Sequence, residues 1–302
     1  MVEAYSLSAF FEKFKDNDTC LEFIKDLRYP NGIFCKSCKT ITKFYKVKSR
    51  TTYACSCGWQ VSPLVGTPFE NSHISLQDWF FAIFVMTTTR CGISAAQLKR
   101  QLRVNYKTAW RVLHKIRSLM GEDEKDLLNG TVEIDEGYVG WWRPYKVIPE
   151  KQYEVVLGMV ERKGKARLRH IVDNSRYSIW EEIKKNVGRD ANVMTDHNIS
   201  YQGLKKYLGY NHQFVTHQRE FVRGNVHTQT VESGWGMLKR SISGTYHKVS
   251  HQHLQKYLNE FEWRYNHRKH GEQMFEILLR QVAEVKVVKP SQPTKNRLAA
   301  AF

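Results

Sequence analysis

From residue 131 to residue 268 two hydrophobic periodicities alternate in a fixed order, and that order limits the fold more than any other feature of the chain. Apolar runs of strand length occupy 131–139, 153–161, 166–173, 191–195 and 212–216, and helix-period stretches occupy 177–188, 200–207, 229–242 and 251–268. Three strands, a helix, a strand, a helix, a strand and further helix predict an α/β domain with a mixed sheet flanked by helices. Three acidic residues stand at marked points of this pattern. Asp135 lies in Val132-Glu133-Ile134-Asp135-Glu136-Gly137, Asp196 closes Ala191-Asn192-Val193-Met194-Thr195-Asp196, and Glu232 lies in Thr230-Val231-Glu232-Ser233-Gly234-Trp235, which reads as the first turn of a helix. Thirty-five residues separate Asp196 from Glu232. Carboxylates at strand ends can converge on a pair of divalent cations, which activate one oxygen and stabilise another in an in-line phosphoryl transfer.

The helix after Glu232 adds a geometric argument. Val231, Trp235, Leu238 and Ile242 form one apolar stripe, and Glu232 and Lys239, seven apart, share a flank of it. Gly236 lies beside them without a side chain. Docking the stripe on the sheet presents Glu232 and Lys239 towards a common site. The same spacing also describes a surface Glu–Lys pair on an amphipathic helix, and a lone Asp in a strand is usually a turn or edge residue. Two Asp at strand positions with a Glu on a later helix, in this strand order, match an RNase H-like fold. Glu136 and His197 adjoin the three acids and read as flanking groups. His217 and His227 could lie near the site, although a lone His is more often an ordinary polar contact.

Charge narrows the partner. The net charge of +17 implies a polyanion, either nucleic acid or an anionic membrane. No apolar stretch approaches the ~20 residues of a transmembrane helix, and Met1-Val2-Glu3-Ala4 carries neither a basic region nor an apolar signal core. The expectation is a cytosolic, nucleic-acid-binding protein. Four of the six cysteines cluster as Cys35-x-x-Cys38 and, after sixteen residues, Cys55-Ser56-Cys57. In a reducing compartment such a cluster reads as metal-binding, and four thiolates suit tetrahedral structural zinc in a zinc ribbon. Zinc ribbons generally place two residues between the second pair, and here Ser56 stands alone. A degenerate ribbon without metal, or packed free thiols, is the alternative. Cys20 and Cys91 read as bystanders.

Residues 5–28 look helical, and so do 75–120, with a short break at Arg103-Val104-Asn105 that suggests helix-turn-helix. Asn105, Tyr106, Lys107, Thr108 and Arg111 lie at or near the start of its second helix, where side chains reach base edges in a major groove. The bland alternative is a solvated basic helix packing through Trp110, Leu113 and Ile116. Arg143, Lys146, Lys163, Lys165, Arg167, Arg169 and Arg219 read as generic positive surface, and binding should fall steeply with salt. The expected organisation is an N-terminal helix and ribbon over 1–68, a helical DNA-binding segment over 69–122, a catalytic domain over 128–285 and a basic, disordered tail over 286–302.

The segment His227-Thr228-Gln229-Thr230-Val231-Glu232-Ser233-Gly234-Trp235-Gly236-Met237-Leu238-Lys239-Arg240 resembles the signature of bacterial insertion-sequence transposases of the DDE superfamily. The resemblance is to the zinc-ribbon, ISXO-like group, to which eukaryotic Merlin elements are also similar. Gly244-Thr245-Tyr246-His247-Lys248-Val249-Ser250, Leu254-Gln255-Lys256-Tyr257-Leu258-Asn259-Glu260-Phe261 and Arg264-Tyr265-Asn266 fit the same pattern. So do Ile134-Asp135-Glu136-Gly137-Tyr138-Val139-Gly140, Gly158-Met159-Val160-Glu161-Arg162 and Thr195-Asp196. The likeness runs from about Phe34 to about Arg268. It implies that Asp135, Asp196 and Glu232 bind two Mg²⁺ ions, for which Mn²⁺ can substitute, and that Lys239 contacts DNA near the scissile phosphate. It further implies that Cys35, Cys38, Cys55 and Cys57 bind structural Zn²⁺, and that the ribbon and helices recognise the terminal inverted repeats of double-stranded DNA. The reaction implied is strand cleavage and strand transfer into target DNA, by at least a dimer on paired ends. Two rival readings are a non-catalytic DNA-binding regulator derived from a transposase, and an RNase H-like nuclease or resolvase without strand transfer.

Overall fold

The computed structural model describes residues 5–121, 126–140, 153–216 and 224–284. Arg143, Lys146, His217, Arg219 and the basic tail lie outside the described residues. Contacts divide the described residues into two units, one built on 7–80 with 279–284 and the other on 81–278 with 5–6.

The first unit opens with α1 (Leu7–Lys13) and α2 (Asn17–Arg28). The helical stretch read over 5–28 is therefore two helices. Asp16 causes the break: its carboxylate accepts the Thr19 backbone N–H at 2.8 Å, while its own N–H donates to Thr19 Oγ1 at 3.3 Å. The ribbon follows as a hairpin of β1 (Ile33–Cys35) and β2 (Thr40–Thr42), then an antiparallel sheet of β3 (Phe44–Lys46), β4 (Tyr53–Cys55) and β5 (Gln60–Val61). Among these strands only Ile33, Cys35, Tyr53 and Cys55 are fully buried. Lys46 and Tyr53 fix α2 to the ribbon by bonds to Asp18 at 2.5 Å and Glu22 at 2.6 Å.

The division between units falls within α3 (Leu76–Thr88). In the second unit α4 (Ala95–Leu102) and α5 (Tyr106–Met120) are capped by Ser94 and Asn105, which accept the backbone N–H groups of Gln97 and Thr108. The stretch expected to be helical over 75–120 thus breaks twice. At the first break Gly92 has φ +75°, and a side chain there would collide with the Tyr246 hydroxyl and the Glu260 carboxylate.

The remaining elements are β6 (Thr131–Gly140), β7 (Tyr153–Glu161), β8 (Ala166–Ile171), α6 (Arg176–Asn186), β9 (Asn192–Asp196), α7 (Leu204–Leu208), β10 (Asn211–Val215), α8 (Gln229–Ser241), α9 (His251–Asn266) and α10 (Met274–Glu284). The strands form one mixed sheet in the order β10-β9-β6-β7-β8. Neighbours in β6-β7-β8 are antiparallel, while β9 runs parallel to β6 and β10 parallel to β9. This is the α/β, RNase H-like arrangement that the order of elements predicted. α10 was not expected, although Phe275, Leu278, Leu279 and Val282, all buried, carry a helical period.

Alternation along the strands gives the sheet two apolar faces. Val132, Ile134, Leu157 and Met159 pack under Ile179 and Ile183 of α6, while Val139, Val156 and Leu168 pack under α8 and α9. α9 also covers the free edge of β8. Asn266, Glu262 and Gln255 accept the backbone N–H groups of Ala166, Leu168 and His170 at 2.7, 2.8 and 2.8 Å. This corrects the reading of Arg167 and Arg169 as positive surface. Arg167 is 1 % exposed, and both arginines balance the Glu262 carboxylate that seals the edge. α5 joins α9 through a second buried group, in which Arg117 Nε donates to Glu260 at 2.6 Å and Arg264 pairs with the same carboxylate.

Candidate active site

The site is built where α8 meets β6 and β9. Side chains 133, 135, 137 and 139 of β6 point towards α8, and 132, 134 and 136 point the other way. The parallel register Val132↔Val193 and Glu133↔Met194 carries the same alternation into β9, so Asp196 shares the face of Met194 and Asp135.

Trp235 seats the helix. Its indole lies over two glycines: a Cβ on Gly137 or on Gly158 would stand 2.7 Å from the ring. Gly158 is the cross-strand partner of Asp135, and the Trp235 Nε1–H donates to Asp135 Oδ2 at 2.8 Å. The apolar stripe of α8 is therefore also the device that holds Asp135. Val231, Trp235 and Leu238 are all buried.

The N-terminus of α8 is held by a residue the sequence reading passed over. Glu133 is 0 % exposed. Its carboxylate accepts the backbone N–H groups of Thr230 at 2.7 Å and Val231 at 3.2 Å, and the Thr230 hydroxyl at 3.0 Å. These are helix-end donors without partners in their own helix, and a carboxylate suits them. Arg162 Nε donates to the same carboxylate at 2.6 Å, and the rest of its guanidinium binds the carbonyls of Asn225 and His227. His227 thus belongs to the support of the helix, with Nδ1 3.3 Å from Glu133.

Asp135, Asp196 and Glu232 form one charge cluster. Burial pushes Asp135 up to about 6, the charges of Asp196 and Glu232 push the same way, and the Trp235 bond opposes them. Glu232, on the exposed side of the first turn, accepts the Thr228 hydroxyl at 2.7 Å. Asp196 accepts the Asn198 N–H at 3.1 Å. Glu136 approaches from the opposite face, bonded to the Tyr201 hydroxyl at 2.5 Å and the Asn198 amide at 3.3 Å. Burial first, and then Asp196 and Asp135, raise it to about 7. Asp135 and Glu136 thus feel the charges of neighbouring carboxylates, and a divalent cation relieves such repulsion.

Lys239 is exposed two turns along α8 from Glu232, about 10 Å up the axis on the same flank. Gly236 is open: a Cβ there would meet only the flexible Arg240 side chain, at 3.4 Å. His197 lies against the Phe214 ring at 4.9 Å. The five residues at the start of α5 are a separate group. Tyr106, Lys107 and Arg111 are exposed and Thr108 is half-buried, while the Asn105 side chain caps the helix. Leu113 and Ile116 are buried, and Trp110 stacks on His114 at 3.8 Å.

The second candidate metal centre is in the ribbon. The Sγ atoms of Cys35, Cys38, Cys55 and Cys57 all lie within 4.8 Å of one another. Cys35–Cys57 and Cys38–Cys55 are 3.5 and 3.8 Å apart, close to the edge of about 3.8 Å that a tetrahedron with Zn–S bonds of ~2.3 Å requires. The one-residue gap at Ser56 is accommodated by Gly58, at φ +91°, whose N–H bonds back to the Cys55 carbonyl at 2.9 Å. The Thr42 hydroxyl, 3.3 Å from Cys55 Sγ, leads the interactions that pull that thiol down to about 6, while the neighbouring thiols push Cys38 up to about 12. Cys20 is buried, and burial pushes it up to about 12.

Two domain families match the chain in this same order. The transposase zinc-ribbon domain matches residues 15–60, and the ISXO2-like transposase domain matches residues 127–266. A protein in transposable element ISH50 of Halobacterium salinarum, itself uncharacterised, is 26% identical over 282 residues, covering 85% of this chain and 93% of the relative. Among the described residues no helix is long and apolar enough to cross a membrane.

Proposed function

The chain belongs to the ISXO2-like, zinc-ribbon family of transposases, and from that premise we propose that it binds the terminal inverted repeats of an insertion sequence and performs metal-dependent strand cleavage and strand transfer. The observation that carries the proposal is the placement of Asp135, whose carboxyl is pushed up first by burial and further by the charges of Asp196 and Glu232. These three residues would hold two Mg²⁺ ions. When bound, such a pair activates the attacking oxygen and stabilises the leaving one.

The protein's own side chains set the geometry. The Trp235 N–H fixes one oxygen of Asp135. Glu133 and Arg162 hold the first turn of α8, and with it Glu232. Lys239 would reach the DNA backbone near the cut. Tyr106, Lys107, Thr108 and Arg111 would face the repeat, with Asn105 ordering the helix start, and the zinc-bound ribbon would add a second contact. Two copies would act on paired ends.

The test is cleavage of a labelled duplex carrying the element's terminal repeat, in Mg²⁺ or Mn²⁺, by the wild type, Asp196→Ala and Glu232→Ala. Nicking at the repeat boundary that both substitutions abolish is the expected result. Tight binding with no cleavage, unchanged by either substitution, would overturn the catalytic reading.

A further inference from the structure

A cavity of about 380 Å³ opens beside Asp196, walled by His197, Tyr201, Lys205, Lys206 and Phe214. It lies outside the three-carboxylate cluster and shares only Asp196 with it. Its size is that of sites holding one small organic ligand, far too narrow for a double helix. We propose that this cavity holds a single unpaired nucleotide of the DNA strand that enters the active site. The inference rests on the transposase reading above and adds to it a requirement for local strand opening.

Two chemistries face each other across the cavity. One wall is aromatic. Phe214 projects from β10, the edge strand of the sheet, and remains 37 % exposed despite its size. The His197 ring lies 4.9 Å from it at 45°, and the His212 ring 6.1 Å from it at 39°. His212 is oriented by the Thr195 hydroxyl, 2.9 Å from its Nε2. The other wall is cationic. Lys205 and Lys206 are exposed on α7, whose N-cap is Gly203, held at φ +99°. Aromatic rings for stacking beside lysines for the backbone are what sequence-tolerant single-strand sites are made of, since every base has a face and every nucleotide a phosphate. A paired base cannot offer its face to Phe214, so occupancy requires that the nucleotide leave the duplex. Because Asp196 lines the same cavity, a nucleotide seated there sits against one of the carboxylates proposed to bind the cations.

The experiment uses the zinc-loaded full chain with no Mg²⁺ or Mn²⁺ added, so that binding is read without cutting. Equilibrium affinity is measured for a blunt terminal-repeat duplex, for the same duplex with three unpaired nucleotides at the boundary, and for scrambled versions of both. The wild type should prefer the unpaired end. Phe214→Leu, which keeps an apolar strand residue but removes the ring, should lose that preference by roughly 5- to 100-fold, the worth of one stacked base, while blunt-end affinity stays unchanged and so reports an intact fold. Lys205→Ala with Lys206→Ala should flatten the salt dependence on the unpaired end, by a slope of about 0.7 for each phosphate no longer neutralised. Equal wild-type affinity for paired and unpaired ends, or a preference that survives Phe214→Leu, would overturn the proposal. A preference for unpaired ends that holds equally on scrambled DNA would support the cavity and count instead against recognition of the repeats.

Discussion

In the ribbon, four thiols are gathered by short hairpins with almost no apolar core behind them, whereas in the sheet domain three carboxylates are gathered by strands and a helix that have two cores of their own. The ribbon has Ile33 and Tyr53 to bury besides two of the thiols themselves. The sheet has α6 packed on one face and α8 and α9 on the other, with the free edge of β8 sealed by α9. The thiol cluster therefore has little besides a bound ion to order it, while Trp235 and Glu133 fix the parts of the carboxylate cluster from outside. On the proposed reading a metal in the first place would be part of the fold, and in the second it would be a reagent. That division can be attacked from either side.

The largest effect should come from removing zinc. Structural zinc contributes on the order of 10–16 kcal/mol to the folding of small modules at neutral pH, so a strong chelator or Cys35→Ser should unfold residues 33–61 and leave the mixed sheet intact. Amide exchange resolved along the chain reads this directly, and protection retained throughout the metal-free ribbon would break the contrast. Next in size is Glu133→Ala. It strips a buried carboxylate from Arg162 and from two helix-end amides, and should cost about 3–5 kcal/mol, seen as a fall in the denaturation midpoint of the sheet domain with no change in zinc content. Glu133→Gln should cost less and slow cleavage more than it weakens DNA binding. Third is Gly137→Ala, which places a methyl 2.7 Å from the Trp235 ring. Overpacking of this kind costs about 1–3 kcal/mol and should lift α8, so cleavage should fall while repeat binding persists. Unchanged cleavage would mean that the seat of Trp235 does not set the position of Glu232.

The sequence revealed these two regions to different depths. β7 was expected over 153–161 and runs from Tyr153 to Glu161, because a long apolar run bounded by polar residues has one reading. The cysteines announced the ribbon by identity and spacing alone. Asp135, Asp196 and Glu232 could be singled out for their positions on strands and a helix, and the structure places them in one charge cluster. Glu133 could not be singled out, since its partners lie 29 and 97 residues away and nothing local distinguishes it from another polar residue in a strand. The same distance hid Arg167 and Arg169, whose burial depends on Glu262 about 95 residues on. The capping box at Asp16 is local and was legible, but the periodicity on either side concealed the break. α10 was legible too, from Phe275, Leu278 and Leu279.

The smallest predicted effect gives the sharpest test of the contrast, because the two clusters should answer acid with opposite signs. Zinc affinity falls as pH falls, since thiolates take up protons that the metal must displace, so the ribbon should loosen below neutrality. Burial raises Asp135 and Glu136 to about 6 and about 7, helped by the charges of Asp196 and Glu232 at the first and of Asp196 and Asp135 at the second. In the unfolded chain both have released their protons by pH 5, whereas in the folded protein they still hold them. Folding therefore takes up protons in this window, and the contribution of these groups to stability is present at low pH and lost as pH rises through about 4 to 7. Without divalent cations the sheet domain should gain stability from them between pH 7 and pH 5.5, by at most about 1.4 kcal/mol per pH unit for each group. His114 opposes this trend, because burial holds it down to about 3 and it stays neutral while its unfolded counterpart charges. The comparison that isolates the carboxylates is therefore wild type against Asp135→Asn at each pH. A stability difference that narrows as pH falls, and that closes when Mg²⁺ is added at pH 7, is what a crowded but pre-built cation site requires. A difference independent of both pH and Mg²⁺ would make Asp135 an ordinary half-buried polar residue and leave the ribbon as the candidate metal centre among the described residues.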